Sequence, residues 1–167
     1  MSLRPLHFLC RAFTVCSLGL MLVSCGSTKK TADTGGKIDN VKYFLLKDVN
    51  KVVQSGDPSI PFERDYRLYG AVSVKERTAR MGNYYDVLWS VTDRSQPVKV
   101  RIEFRQAKSG LAIKTKEESI AAPKKHNVTH FTVIEDEYVK DGAVGSWRVT
   151  LLRGKEVLSQ EKSYLWE

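Results

Sequence analysis

Val98-Lys99-Val100-Arg101-Ile102-Glu103-Phe104-Arg105 alternates apolar and charged side chains without a break. Successive side chains on a strand point to opposite faces, so this octet has one dry face and one wet face. The same period recurs on both sides of it. Tyr85, Val87 and Trp89, with Val91, form one set, and Trp147, Val149 and Leu151 alternate with Arg148 and Thr150 in another. Phe131 and Val133 share a face, as do Val41, Tyr43 and Leu45. Tyr66, Leu68, Gly70, Val72 and Val74 read as a further strand. Turn-forming residues break the pattern at Gly56-Asp57-Pro58, Met81-Gly82-Asn83, Asp93 to Pro97, Lys108-Ser109-Gly110, Pro123 to Asn127, Asp141-Gly142 and Gly154. The pattern predicts about eight strands, near 41–48, 65–75, 84–92, 98–106, 111–117, 127–135, 145–152 and 156–166. Residues 43–54 also admit a short helix, through Phe44, Lys47, Asp48 and Lys51, and strand is favoured there. Many short strands with regular breaks predict an all-β sandwich.

Asp141-Gly142, then Gly145-x-Trp147-x-Val149-x-Leu151, then Gly154 and a final strand, resembles the last hairpin of immunoglobulin-like and fibronectin-like sandwiches. The resemblance implies that Trp147 packs into the core. The chain departs from antibody-type domains in lacking the two inter-sheet cysteines. In the last strand Val157 and Leu165 share one face, while Leu158, Tyr164 and Trp166 share the other. A bulge, or burial on both sides, would reconcile the two sets.

The first 24 residues differ from the rest. They contain Arg4 and Arg11, no acid, and the uncharged run Ala12 to Val23. That run makes about 18 Å of helix, short of the roughly 20 residues that span a bilayer. A basic start, a short apolar centre and small residues at its end form a signal peptide. An uncleaved membrane anchor is the alternative reading. Leu22-Val23-Ser24-Cys25 resembles the lipobox of bacterial lipoproteins. The resemblance implies cleavage before Cys25, a diacylglyceryl group on its thiol and an acylated new amino terminus. Gly26 follows the cysteine, where Asp would favour inner-membrane retention under the enterobacterial sorting rule. The expected location is therefore the outer membrane, facing the periplasm. Gly26 to Lys37 is polar and aperiodic, so residues 25–37 read as the lipidated cysteine and a flexible tether, and 38–167 as one sandwich domain.

All three cysteines, Cys10, Cys16 and Cys25, lie in the signal or at its end. The folded part has none for a disulfide, a thiolate metal site or a thiol nucleophile. Removing Arg4 and Arg11 leaves 25 basic and 19 acidic residues, a net charge of +6. A moderately basic envelope protein suits anionic lipid or glycan rather than nucleic acid in that compartment.

No nucleophile elbow, phosphate loop or paired-carboxylate context is present. His126 and His130 fall four residues apart on a strand, about 13 Å, too far for one metal ion. Glu135-Asp136-Glu137 lacks the spaced ligands of a calcium loop and reads as a solvated strand end, as does Glu117-Glu118. Arg64, Arg67, Lys75, Arg77 and Arg80, with Lys99, Arg101 and Arg105, would form one positive face if their strands were neighbours. Tyr84 belongs with them, since Tyr84-Tyr85 must send one ring outward. The candidate binding patch is therefore Arg64, Arg67, Lys99, Arg101, Arg105 and Tyr84. The expected function is a non-catalytic, lipid-anchored envelope module that binds or scaffolds a protein partner, with no cofactor beyond the lipid on Cys25. The alternative is a module binding glycan or an anionic polymer such as lipopolysaccharide or peptidoglycan.

Overall fold

The computed structural model describes residues 34–50 and 55–167. The expected signal peptide, Cys25 and most of the expected tether lie outside the described residues. Seven strands form two antiparallel sheets: β1 (Gly36–Leu46), β2 (Gly82–Val91), β3 (Val98–Gln106), β4 (Lys114–Ile120), β5 (His126–Ile134), β6 (Val144–Arg153) and β7 (Glu156–Lys162). The strand orders are β1-β2-β5 and β4-β3-β6-β7. The chain crosses between the sheets after β2, β4 and β5, a Greek-key wiring that defines an immunoglobulin-like sandwich.

The Val98–Arg105 octet carries the second sheet. Val98, Val100, Ile102 and Phe104 are buried, and Lys99, Arg101, Glu103 and Arg105 form the outer face. Opposite them lie Tyr85, Val87, Trp89 and Val91 of β2, with Phe131 and Val133 of β5. Val149, Leu151 and Leu158 complete this core. Trp147 packs against it, its ring 6.0 Å from that of Tyr85 and edge-on. The indole N–H of Trp89 donates to Thr129 Oγ1 at 3.0 Å, so the largest core side chain leaves no orphan donor.

One expected strand is absent. Residues 65–68 end α1 (Ser59–Leu68), 69–73 form a turn, and 74–75 begin α2 (Val74–Ala79). Tyr66, Val72 and Val74 are exposed and only Leu68 of the alternating set is buried, so the apparent period never had a face to bury. Ser73 and Glu76 form a reciprocal capping box that starts α2. α1 lies on the outer face of the three-stranded sheet. Leu68 there joins Leu46, Val49 and Tyr84 in a second small core, with Phe44, Met81 and Ile134 at its margin. Tyr84 does point out of its sheet, but the helix covers it.

A third helix, α3 (Glu135–Asp141), replaces the expected strand end. Its first turn is Glu135, Asp136 and Glu137, and acids are favoured at a helix N-terminus. The alternative helical reading of 43–54 also yields, since β1 runs through Leu46; 51–54 are outside the described residues. β1 begins at Gly36, two residues before the expected domain start. The last strand ends at Lys162, not 166, and carries a register shift opposite Leu151/Leu152. Leu158 enters the core, whereas Trp166 turns back between Arg105 (4.4 Å) and Arg148 (5.1 Å), both on the outer face. Tyr164 is exposed. Leu158, Trp166 and Tyr164 thus do not share a face.

Edge strands expose unpaired backbone, which invites pairing with other chains. β4 is such an edge, and its Lys114 and Lys116 counter that tendency. Lys114 pairs with Asp141 at 2.6 Å, and Lys116 with Glu137 at 2.7 Å while also donating to the Thr132 carbonyl at 2.5 Å. The hydrogen bond from Lys114 holds the Asp141 carboxyl below the usual carboxylate range.

Candidate functional site

The predicted patch does not assemble on one face. Arg64, Arg67 and Tyr84 lie over the three-stranded sheet, whereas Lys99, Arg101 and Arg105 lie on the outer face of the four-stranded one. The alternation of β3 is correct, but its neighbours are β4 and β6, not the segment around residue 70. Lys99 and Arg101 share Glu117, at 2.8 and 2.5 Å. Those hydrogen bonds, Lys99 first, hold the Glu117 carboxyl below its ordinary range, so the carboxylate offsets one of the two positive charges. Arg105 lies against Trp166. Arg64 donates to the Val49 carbonyl at 2.9 Å and ties the segment after β1 to α1.

Arg67 sits at the centre of a charged network. It bonds Glu63 one turn earlier and Asp86 of β2, the latter at 2.9 Å, and its guanidinium stacks 4.7 Å from the Tyr84 ring. Asp86 reaches His130 of β5, its direct partner across the sheet, at 2.7 Å. An ionised carboxylate only accepts hydrogen bonds, so His130 Nδ1 is the donor. Burial by itself would lower the Arg67 pKa, but Glu63 and Asp86 overcome that and raise it. Burial pushes Asp86 up, and the His130 hydrogen bond with the Arg67 charge more than offsets it, leaving Asp86 low. The Tyr84 hydroxyl donates to the Arg80 carbonyl at 2.5 Å, and burial raises its pKa.

An open cleft of about 430 Å³ runs beside this network, lined by Lys42, Phe44, Ile60, Glu63, Arg67 and Asp86. Of its charges, Glu63, Arg67 and Asp86 are engaged with one another and with His130. The arrangement holds α1 on the sheet. The Arg67→Gln variant is expected to loosen α1 by about 1–2 kcal/mol, since it removes charge-assisted bonds to two carboxylates. Hydrogen exchange of the α1 amides would show this, with β3 and β6 amides unchanged. Asp86 has a lowered folded pKa, so its stabilisation is complete above the unfolded value of about 3.9 and is lost as pH falls through the folded value. Docking of α1 is therefore expected to hold down to about pH 4 and weaken below it.

Beyond the network, α1 and the turn to α2 present an apolar ridge. Phe62, Tyr66, Tyr69 and Val72 are 69%, 64%, 85% and 88% exposed, and the Phe62 and Tyr66 rings stack at 6.5 Å. Tyr66, Tyr69 and Val72 fall within the strand expected over 65–75, and Phe62 just before it, so the ridge does not show in the alternating pattern. A second cleft, of about 340 Å³, opens between the sheets and is lined by Tyr43, Tyr85, Trp147, Ser163 and Tyr164. Tyr43 and Tyr164 are largely exposed there. His126 and His130 both lie on β5, as expected. Among the described residues no three His, Cys, Asp or Glu side chains gather as metal ligands, and no helix is long and apolar enough to cross a membrane.

No protein-family profile matches the chain, and no curated protein matches it. Among solved structures, an immunoglobulin-like protein from Pseudomonas aeruginosa is similar to it, with 13% identity over 78% of this chain and 96% of that one and a TM-score of 0.39. The immunoglobulin-like architecture rests on this chain's own strand order and on the crossings that produce it.

Proposed function

We propose that this chain is a non-catalytic, lipid-anchored envelope module that docks a protein partner through its helical insertion. The observation that carries the reading is the ridge of Phe62, Tyr66, Tyr69 and Val72, large apolar side chains left to water on a segment whose own charges hold it in place. Exposed apolar side chains grouped on one ridge mark interaction surfaces, and aromatic residues dominate such interfaces. The lipobox-like Leu22-Val23-Ser24-Cys25 supports the anchor and the envelope location.

The test is a crosslink made in cells through a photoreactive residue at position 69, followed by mass spectrometry. A defined partner is expected, and Phe62→Glu with Tyr69→Glu should reduce its capture at least tenfold while leaving the thermal midpoint nearly unchanged. Unchanged capture would remove the ridge from the interface. A glycan-binding reading is favoured by the cleft of Tyr43, Trp147 and Tyr164, since sugars stack on such rings. Titration of peptidoglycan fragments against Tyr43→Ala and Tyr164→Ala variants separates the two readings.

A further inference from the structure

The two ends of the sandwich differ in charge. At one end lie the start of β1, the β2–β3 and β4–β5 connections and the β6–β7 turn. They belong together, because Thr92 N–H donates to the Gly35 carbonyl, Val91 N–H to the Lys125 carbonyl, and Arg153 to the Asp93 carbonyl. This end carries Lys37, Arg94, Lys124, Lys125, Arg153 and Lys155, with Asp39, Asp93 and Glu156 against them. Arg94, Lys124, Lys125 and Lys155 are exposed, and no ion pair within the described residues engages them. Lys37 meets Asp39 only at 3.9 Å, with most of its side chain in water. Asp93 is spent on Ser95, whose hydroxyl and backbone N–H both bond its carboxylate. At the opposite end, Glu135, Asp136, Glu137 and Asp141 of α3 are balanced by Lys140, Lys108 and the paired Lys114 and Lys116, so that end carries no such excess.

The basic end is also where the described chain begins. Thr34 is fixed there, its hydroxyl bonded to the Leu158 carbonyl, and Cys25 lies nine positions earlier in the sequence. Nine residues span at most about 30 Å, whatever their conformation. A lipid on Cys25 therefore keeps this end of the domain within about 30 Å of the membrane, whereas the α3 end can lie farther from it.

We infer that the end formed by Lys37, Arg94, Lys124, Lys125, Arg153 and Lys155 seats on the anionic headgroups of the membrane that carries the anchor, so that the domain stands upright with α3 facing away. This rests on the lipid-anchor reading for its geometry. Two features select a lipid surface as the occupant: the charge is spread over four separate chain segments rather than gathered in a pocket, and the attachment point is among them. Attraction of this kind acts within a Debye length, about 8 Å at physiological salt, and tethering raises the local concentration of headgroups.

The experiment is lysine acetylation footprinting of the mature, acylated protein on vesicles of neutral phosphatidylcholine and on vesicles containing phosphatidylglycerol. Flotation on the neutral vesicles reports the anchor alone. Lys124, Lys125 and Lys155 are expected to react several-fold more slowly on anionic than on neutral vesicles, whereas Lys108 and Lys140 change little. Salt that shortens screening to about 3 Å should abolish the difference. Equal labelling at both ends on anionic vesicles overturns the inference, even where flotation upholds the anchor. Failure to float on neutral vesicles, with Lys124, Lys125 and Lys155 still protected on anionic ones, overturns the anchor and leaves the surface standing. Equal protection by millimolar inorganic phosphate without vesicles would overturn the choice of a membrane as the occupant. The Lys124→Glu/Lys125→Glu/Lys155→Glu variant, in exposed turns, is expected to fold and to lose the protection at Lys37.

Discussion

Trp89→Ala is expected to cost about 4 kcal/mol of stability, within the range for removing a buried tryptophan. Trp89 is fully buried between the sheets, among Tyr85, Val87, Val100 and Phe104 in one continuous core. Alanine leaves a cavity that two sheets cannot close without shifting register. It also orphans the Thr129 hydroxyl, which receives the indole hydrogen bond and is itself buried. A domain of this size has roughly 5–15 kcal/mol in total, so the variant sits near the limit of folding. Thr129→Val separates the two contributions. It keeps the packing, leaves the indole N–H without a partner, and should cost about 1–2 kcal/mol. Urea denaturation followed by circular dichroism measures both, with an unchanged slope as the sign that the denatured state is the same. A loss below about 1 kcal/mol for Trp89→Ala would contradict the core described above.

Gly82→Ala is expected to be as damaging, although it adds only a methyl group. Gly82 opens β2 at φ +143°, where side chains are strained, and pairs with Ile134 of β5. A Cβ there would penetrate the Val133 carbonyl oxygen and come within 3.0 Å of Ile134 Cα, both backbone atoms that cannot swing aside. Relief requires opening the β2–β5 ladder beneath the small core of Leu46, Tyr84 and Leu68. A loss of about 4 kcal/mol follows, at the upper end for point changes. Gly110→Ala is the control. It also has positive φ, at +60°, but its Cβ would meet open space, so only the conformational cost of about 1–2 kcal/mol remains. A wide gap between the two variants would locate the Gly82 effect in the close approach of β5.

The strands with one wet face were readable from residue types. β2, β3 and β5 announce themselves because Trp89, Ile102 and Phe131 are buried while their sequence neighbours are not, whereas β6 is buried on both faces from Val149 to Leu152. The helical insertion was not readable by that signal. Tyr66, Leu68, Gly70, Val72 and Val74 alternate by accident, and burial, which gives a period its meaning, reaches only Leu68. Ser73-x-x-Glu76 and the acids that open α3 were the local signals that spoke for helix. The basic patch failed for a different reason. Which sheet a strand joins is set by non-local pairing, and the charges of Arg67 and Arg101 carry no record of it. Cations at one end of the sandwich come from three short connections and the start of β1, scattered in sequence, so a search for a dense basic run passes over them.

The Greek-key wiring also fixes the order in which the molecule can be completed. β2 finds its second partner only in β5, and β3 in β6, so Val87 meets Thr129 and Val100 meets Leu151. A chain emerging from the ribosome has both sheets open until the last third has been made. Pairings of such separation close slowly, in roughly milliseconds to seconds, because loop entropy is lost before any contact rewards it. Late closure is an advantage for a polypeptide that must be threaded through a membrane as an extended chain, as the proposed export requires. With no cysteine after Cys25, nothing has to be oxidised on the far side before the sandwich can shut.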